Sequence, residues 1–82
     1  DVYPRAAMER GLSGATVTDC VVAGDGTLKN CKTIEEDPTG YGFGEAALKL
    51  MPLFQMKPKL SNGQSVEGGS VRIPLRFVSP LR

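Results

Sequence analysis

Apolar and other side chains alternate most regularly near the C-terminal end of the chain, over residues 71–78. The two alternating sets are Val71, Ile73, Leu75 and Phe77 on one side, and Arg72, Pro74, Arg76 and Val78 on the other. A period of two predicts a β-strand with one face on the core. Because proline has no N–H to give to a ladder, Pro74 predicts an edge strand, with the backbone groups of Arg72, Pro74 and Arg76 turned outward.

Residues 15–23 and 27–34 are rich in β-branched side chains, and they predict two further strands joined by a hairpin. Two registers fit. A two-residue turn at Asp25-Gly26 pairs Cys20 directly with Cys31. A type I turn through Gly24-Asp25, with Gly26 in the left-handed region, instead pairs Val22 with Leu28 and needs a bulge near Lys29-Asn30.

Both registers bring Cys20 and Cys31, the two cysteines of the chain, onto one face and within reach of each other. We therefore predict a disulfide between them, in preference to two buried thiols that act as small hydrophobic side chains. Such a bond would place the domain in an oxidising compartment.

The remaining segments predict two helices and a loop. Residues 3–10 predict a short helix, with Pro4 at its first position and Gly11 at its stop. Residues 35–44 predict a loop, and residues 45–51 a second helix that Pro52 should end. This helix is predicted to pack on a sheet through an apolar stripe of Phe43, Ala47, Leu50 and Phe54. Residues 53–58 are predicted to follow it as an extended apolar anchor.

The composition of the chain argues against several classes of function. The chain has 82 residues, enough for one domain, and its ten basic and nine acidic residues include no basic run that would favour nucleic acid. It has no histidine, and two cysteines cannot close a zinc site. The acidic run Glu35-Glu36-Asp37 lacks the ligand spacing of a calcium loop. We expect no catalysis, no metal and no cofactor.

Taken together and in order, these signals resemble the C-terminal domain of TonB-type energy transducers over about 75 residues. Phe54 stands where this family usually has tryptophan, and Met56 replaces an aromatic residue, which alters core packing. The segments that carry the resemblance are Tyr3-Pro4, Gly11, Gly14, Asp25-Gly26, Ala46-Ala47-Leu48, Phe54-Gln55-Met56-Lys57-Pro58, Gly63-Gln64-Ser65-Val66 and Val71-Arg72-Ile73-Pro74-Leu75-Arg76-Phe77.

The resemblance implies an α+β fold, in which a small antiparallel three-stranded sheet carries two helices packed on one face. It also implies that residues 1–82 are the periplasmic C-terminal domain of a longer protein, with an N-terminal inner-membrane anchor and a Pro-rich spacer. That parent would couple the proton motive force, through the ExbB–ExbD motor, to outer-membrane receptors that import siderophores, vitamin B12, haem or sugars. The alternative is a TonB-like peptide-binding module of another envelope protein, without energy coupling.

The expected partner is the TonB box, a short receptor peptide that would add as a strand beside the last strand of the domain. The predicted binding edge consists of Val71, Arg72, Ile73, Pro74, Leu75, Arg76, Phe77 and Val78. An exposed edge of this kind also makes a homodimer possible. A third interpretation, a small secreted thiol-disulfide protein, would require redox activity at Cys20 and Cys31.

Overall fold

The computed structural model of the chain describes residues 3–57, 59 and 61–79. Three strands form one antiparallel sheet in the order β2-β1-β3, with β1 in the centre. The predicted α+β fold class is confirmed. Along the chain the elements are helix α1 (Arg5–Glu9), strand β1 (Gly14–Val22), strand β2 (Leu28–Asp37), helix α2 (Phe43–Leu50), a 3-10 turn (Met51–Leu53) and strand β3 (Ser70–Phe77).

Both helices cover the same face of the sheet. Ala7 of α1 is buried together with Phe43, Ala46 and Ala47 of α2 and with Phe77 of β3. Phe43 and Phe77 pack with ring centroids 5.3 Å apart, and Tyr3 meets both rings edge to face. Alternate residues of β1 point into this layer, and the buried ones are Thr16, Thr18, Cys20 and Val22. The opposite face of the sheet has no covering element among the described residues.

The β1–β2 hairpin adopts the second of the two registers considered for it. Gly26 donates its N–H to the carbonyl of Ala23 (2.9 Å), and Gly26 has a φ of +88°, so the turn runs through Gly24-Asp25. Val22 pairs with Leu28, which buries both. The carboxylate of Asp25 accepts hydrogen bonds from the hydroxyl and the N–H of Thr27, and these bonds lower the pKa of Asp25.

A bulge follows in β2, where Asn30 and Cys31 together face Cys20. Asn30 has a φ of +53°, a region that asparagine tolerates better than most residues. The bulge returns Cys31 to the face that carries Cys20, and a disulfide joins the two across 4.1 Å between their Cα atoms. Cys20 is buried and Cys31 is half-buried.

Strand β2 is longer than the sequence predicted, since residues 35–37 belong to it and not to a loop. Glu35 pairs with Val17 and Asp37 with Ala15, after a second bulge at Ile34. Their acidic side chains are compatible with a strand here because the outer face of the sheet is exposed to solvent.

Helix α2 begins at Phe43, two residues before the predicted start, and ends at Leu50. This end lies one residue before the predicted Met51, and Pro52 lies inside the 3-10 turn that follows the helix. Leu53 is 78% exposed and is no apolar anchor, contrary to expectation. Met56 packs on the core near the disulfide, and its N–H bonds the Gly26 carbonyl (2.8 Å). Pro58, which ends the predicted anchor, lies outside the described residues.

Within the described part of the chain, no helix is both long and apolar enough to cross a membrane. Residues 3–57, 59 and 61–79 also contain no group of three or more acidic or cysteine side chains placed to hold a metal ion.

Candidate functional site

Strand β3 lies at one edge of the sheet and pairs with β1 without interruption. The register runs from Gly14 opposite Phe77 to Val21 opposite Ser70, with no shift between them. No other described segment pairs with β3. The strand therefore offers an outer edge whose backbone groups are regularly spaced.

The ladder between β1 and β3 fixes which backbone groups point outward. Val22 donates its N–H to the Gly69 carbonyl (3.0 Å), whereas Ala23 donates to the Thr27 carbonyl on the β2 side (2.8 Å). Even-numbered residues of β1 therefore bond toward β3, and their partners in β3 are odd-numbered. The residues of β3 that turn their backbone outward are Ser70, Arg72, Pro74 and Arg76.

Pro74 fits this arrangement, because its missing N–H lies on the outer side and removes no bond to β1. The outer edge presents the N–H groups of Ser70, Arg72 and Arg76, and the carbonyls of these three residues and of Pro74. This is the orientation expected from the position of Pro74 in the sequence.

The other outer edge of the sheet, on β2, is less regular. Register shifts interrupt its pairing with β1 between Val17 and Thr18 and again between Asp19 and Val21. Bulges bend a strand and break the spacing of its outward groups. Of the two edges in the described sheet, β3 is thus the one that matches a regular extended peptide.

The side chains of the predicted edge segment divide between the two faces of the sheet. Phe77 is buried, and the other three inward side chains are half-buried: Val71, Ile73 and Leu75. Arg72, Pro74 and Arg76 are exposed on the open face. Val78 lies one residue beyond the end of β3 and is 69% exposed, so the strand is shorter than predicted by that residue.

The open face of the sheet carries charges in cross-strand rows. Ala15 lies between Arg76 of β3 and Asp37 of β2, and Val17 lies between Pro74 and Glu35. A cavity of about 340 Å³ lies in this region, and its lining includes Ala15, Val17 and Pro74 together with the acidic residues of β2 and Arg76. Neither arginine of β3 forms an ion pair within the described residues.

The acidic side of this cavity was not foreseen, because the sequence predicts a loop over residues 35–44. The length of the first strand could have indicated that residues 35–37 belong to β2. A first strand of nine residues needs a partner of similar length, and residues 27–34 are too few once bulges use up two of them.

The sequence and the fold of the domain are both similar to those of known proteins. The family model described as Gram-negative bacterial TonB protein C-terminal matches residues 1–79. An uncharacterized protein of Caulobacter vibrioides is 32% identical over 61 residues, which cover 74% of this chain and 61% of that protein. The match thus spans less than two-thirds of that relative.

A solved structure of the TonB2 protein from Vibrio anguillarum superposes on the domain with a TM-score of 0.66. The match covers 94% of this chain and 72% of that one, at 18% sequence identity. At that level of identity the likeness is one of fold.

Proposed function

The chain belongs to the family of Gram-negative bacterial TonB C-terminal domains, and we propose that it is the receptor-binding domain of a TonB-type energy transducer. In this role it binds the TonB box of outer-membrane TonB-dependent receptors by adding it as a strand beside β3. The observation that carries the proposal is the outer edge of β3, which is free of bulges and unpaired within the described residues.

Strand addition uses main-chain groups for affinity. The outward N–H groups of Ser70, Arg72 and Arg76 and the outward carbonyls of β3 face an incoming peptide as a regular row. Each hydrogen bond contributes about 0.5–1.5 kcal/mol net, so a few together give measurable binding. Since the backbone is common to all peptides, one domain can serve several receptors.

The same geometry suits the transmission of force. A peptide pulled along the direction of β3 loads its hydrogen bonds side by side, so that several must break together. In the full protein, an N-terminal membrane anchor and a Pro-rich spacer would connect residues 1–82 to the ExbB–ExbD motor in the inner membrane. Energy from the proton motive force would then reach siderophore, vitamin or other nutrient receptors through this edge.

The domain acts as a binding module and not as an enzyme in this proposal. The chain has no histidine to act as a general base. Its cysteines are joined to each other and offer no thiolate nucleophile. Binding needs neither a metal nor a cofactor, because the backbone of β3 supplies the recognition.

Amide chemical shifts test the proposal directly. A synthetic TonB-box peptide is titrated into the labelled domain, and the largest shifts are expected at residues 70–76. Ser70→Pro removes one outward N–H without touching the ladder to β1 or either arginine, so it should weaken binding about three- to tenfold while the fold is retained.

The matched control is Glu36→Pro, which removes an outward N–H at the opposite edge of the sheet. It should leave the affinity for the peptide unchanged. Shifts confined to the loop between β2 and α2, with β3 unaffected, would contradict the proposed binding edge. Equal losses in the two proline variants would contradict it as well.

A further inference from the structure

Two arginines of β3 share the open face of the sheet and flank Pro74. Arg72 and Arg76 are both exposed, and neither has an acidic partner within ion-pair distance among the described residues. In a strand added beside β3, the side chains that face Arg72, Pro74 and Arg76 on this side are two residues apart. The positions opposite the two arginines are therefore four residues apart, whether the added strand is parallel or antiparallel.

The neighbours of the two arginines differ. Arg72 lies directly beside Asp19 of β1, and Asp19 in turn lies beside Lys32 of β2. Arg76 lies beside the uncharged Ala15, with Asp37 one strand further away. Because Asp19 partly neutralises Arg72 and repels an incoming carboxylate, Arg76 is the stronger of the two anion-attracting positions.

We propose that the β3 edge selects a peptide strand that carries two carboxylates four residues apart on the open face, with an uncharged residue between them opposite Pro74. This inference rests on the proposed function and adds the chemistry of the partner to it. Main-chain bonds hold any extended peptide, whereas the two arginines set which peptides bind best and in which register.

The expected size of the effect follows from cross-strand pairs. An opposite-charge pair directly across two strands strengthens binding by about two- to fivefold relative to a neutral pair, and a like-charge pair weakens it. Two such pairs together should make a peptide with both carboxylates bind about tenfold more tightly at low salt than its uncharged counterpart. The preference should shrink at high salt because both arginines are exposed.

Two synthetic peptides of equal composition and net charge test this selection. In the first, two glutamates lie four residues apart, with valine midway between them. In the second, one glutamate is moved by one position, so that it falls on the helix-covered side of the sheet. A third peptide carries glutamine in place of both glutamates. The dissociation constants are measured by calorimetry at low and at high salt.

We expect the first peptide to bind about tenfold more tightly than the third and several-fold more tightly than the second. Arg76→Gln should remove most of the preference for the first peptide over the third, because it removes the stronger of the two attracting charges without adding an opposite one. Arg72→Gln should have the smaller effect. Amide spectra of both variants establish that the fold is kept.

The outcomes separate this inference from the proposed function. Equal affinities for all three peptides, with shifts still centred on β3, would overturn the charge selection and leave strand addition intact. Equal affinities for the first and the second peptide would also overturn it, because the domain would then respond to the net charge of a peptide and not to the spacing of its glutamates. If no peptide binds at β3, both the selection and the proposed function are wrong.

Discussion

Two threonines of β1 are buried, and their hydroxyl groups find no hydrogen-bond partner within the described part of the chain. Thr16 and Thr18 are 2% and 0% exposed, and both point into the layer between sheet and helices. A buried hydroxyl that bonds to nothing costs free energy, since it has lost its bonds to water. These two positions are therefore local weaknesses in a small core.

Replacing Thr18 with valine should stabilise the domain. Thr18→Val exchanges the unbonded hydroxyl for a methyl group of similar size, and we expect the free energy of unfolding to rise by about 1 kcal/mol in urea denaturation. The matched control is Thr33→Val. The hydroxyl of Thr33 donates to the Gly44 carbonyl (3.2 Å), so that variant should lose stability by a similar amount. Destabilisation by Thr18→Val would show that its hydroxyl is bonded in solution.

At the scale of elements, the sequence predicted β3 and the existence of the hairpin well, but not the length of β2. Strand β3 followed from strict alternation, and Pro74 alone indicated its edge position. The acidic residues of β2 resemble a loop because nothing in a single segment shows which face of a sheet it will occupy. Exposure on the open face is a property of the pairing with Ala15 and Val17.

The hairpin register depended on competing local preferences. Asp25-Gly26 is a strong signal for a two-residue turn, yet burial of Val22 against Leu28 favours the other register. Gly26 also meets the chain after α2, where a side chain would collide with the Met56 carbonyl. That contact is distant in sequence, so the turn could not be settled from the hairpin alone.

The disulfide closes this hairpin, and its loss should weaken the whole domain. We expect Cys20→Ala combined with Cys31→Ala to lower the free energy of unfolding by about 2–3 kcal/mol, the value for a loop this short in the chain-entropy model. Thermal denaturation with and without reductant measures the effect. Reductant should bring the wild-type domain close to the double variant and leave the variant itself unchanged. A wild-type midpoint that does not respond to a reductant able to break the bond would contradict this expectation.

At the scale of the whole molecule, the exposed edge on β3 was predictable from the sequence and the arrangement of the open face was not. The segment of residues 71–78 carries its own evidence for an exposed edge. The open face instead combines Arg76 of β3, Ala15 of β1 and Asp37 of β2, which are far apart in sequence. Their rows depend on two bulges in β2, and a shift of one residue would have moved every acidic side chain to the other face.

The charges of β3 also bear on whether two copies of the domain pair through their edges. In a symmetric antiparallel pair centred on Pro74, Arg72 of each copy would lie opposite Arg76 of the other, and two prolines would meet where hydrogen bonds are needed. Four arginines on one face should oppose this dimer, so we expect the wild-type domain to sediment as a monomer.

Arg76→Glu turns both like-charge pairs into opposite-charge pairs and should increase the dimer fraction at low salt. Arg5→Glu, the same change on the exposed surface of α1, is the control and should stay monomeric. If the wild-type domain dimerises through β3 as strongly as Arg76→Glu does, the arginines do not prevent two copies from pairing at this edge.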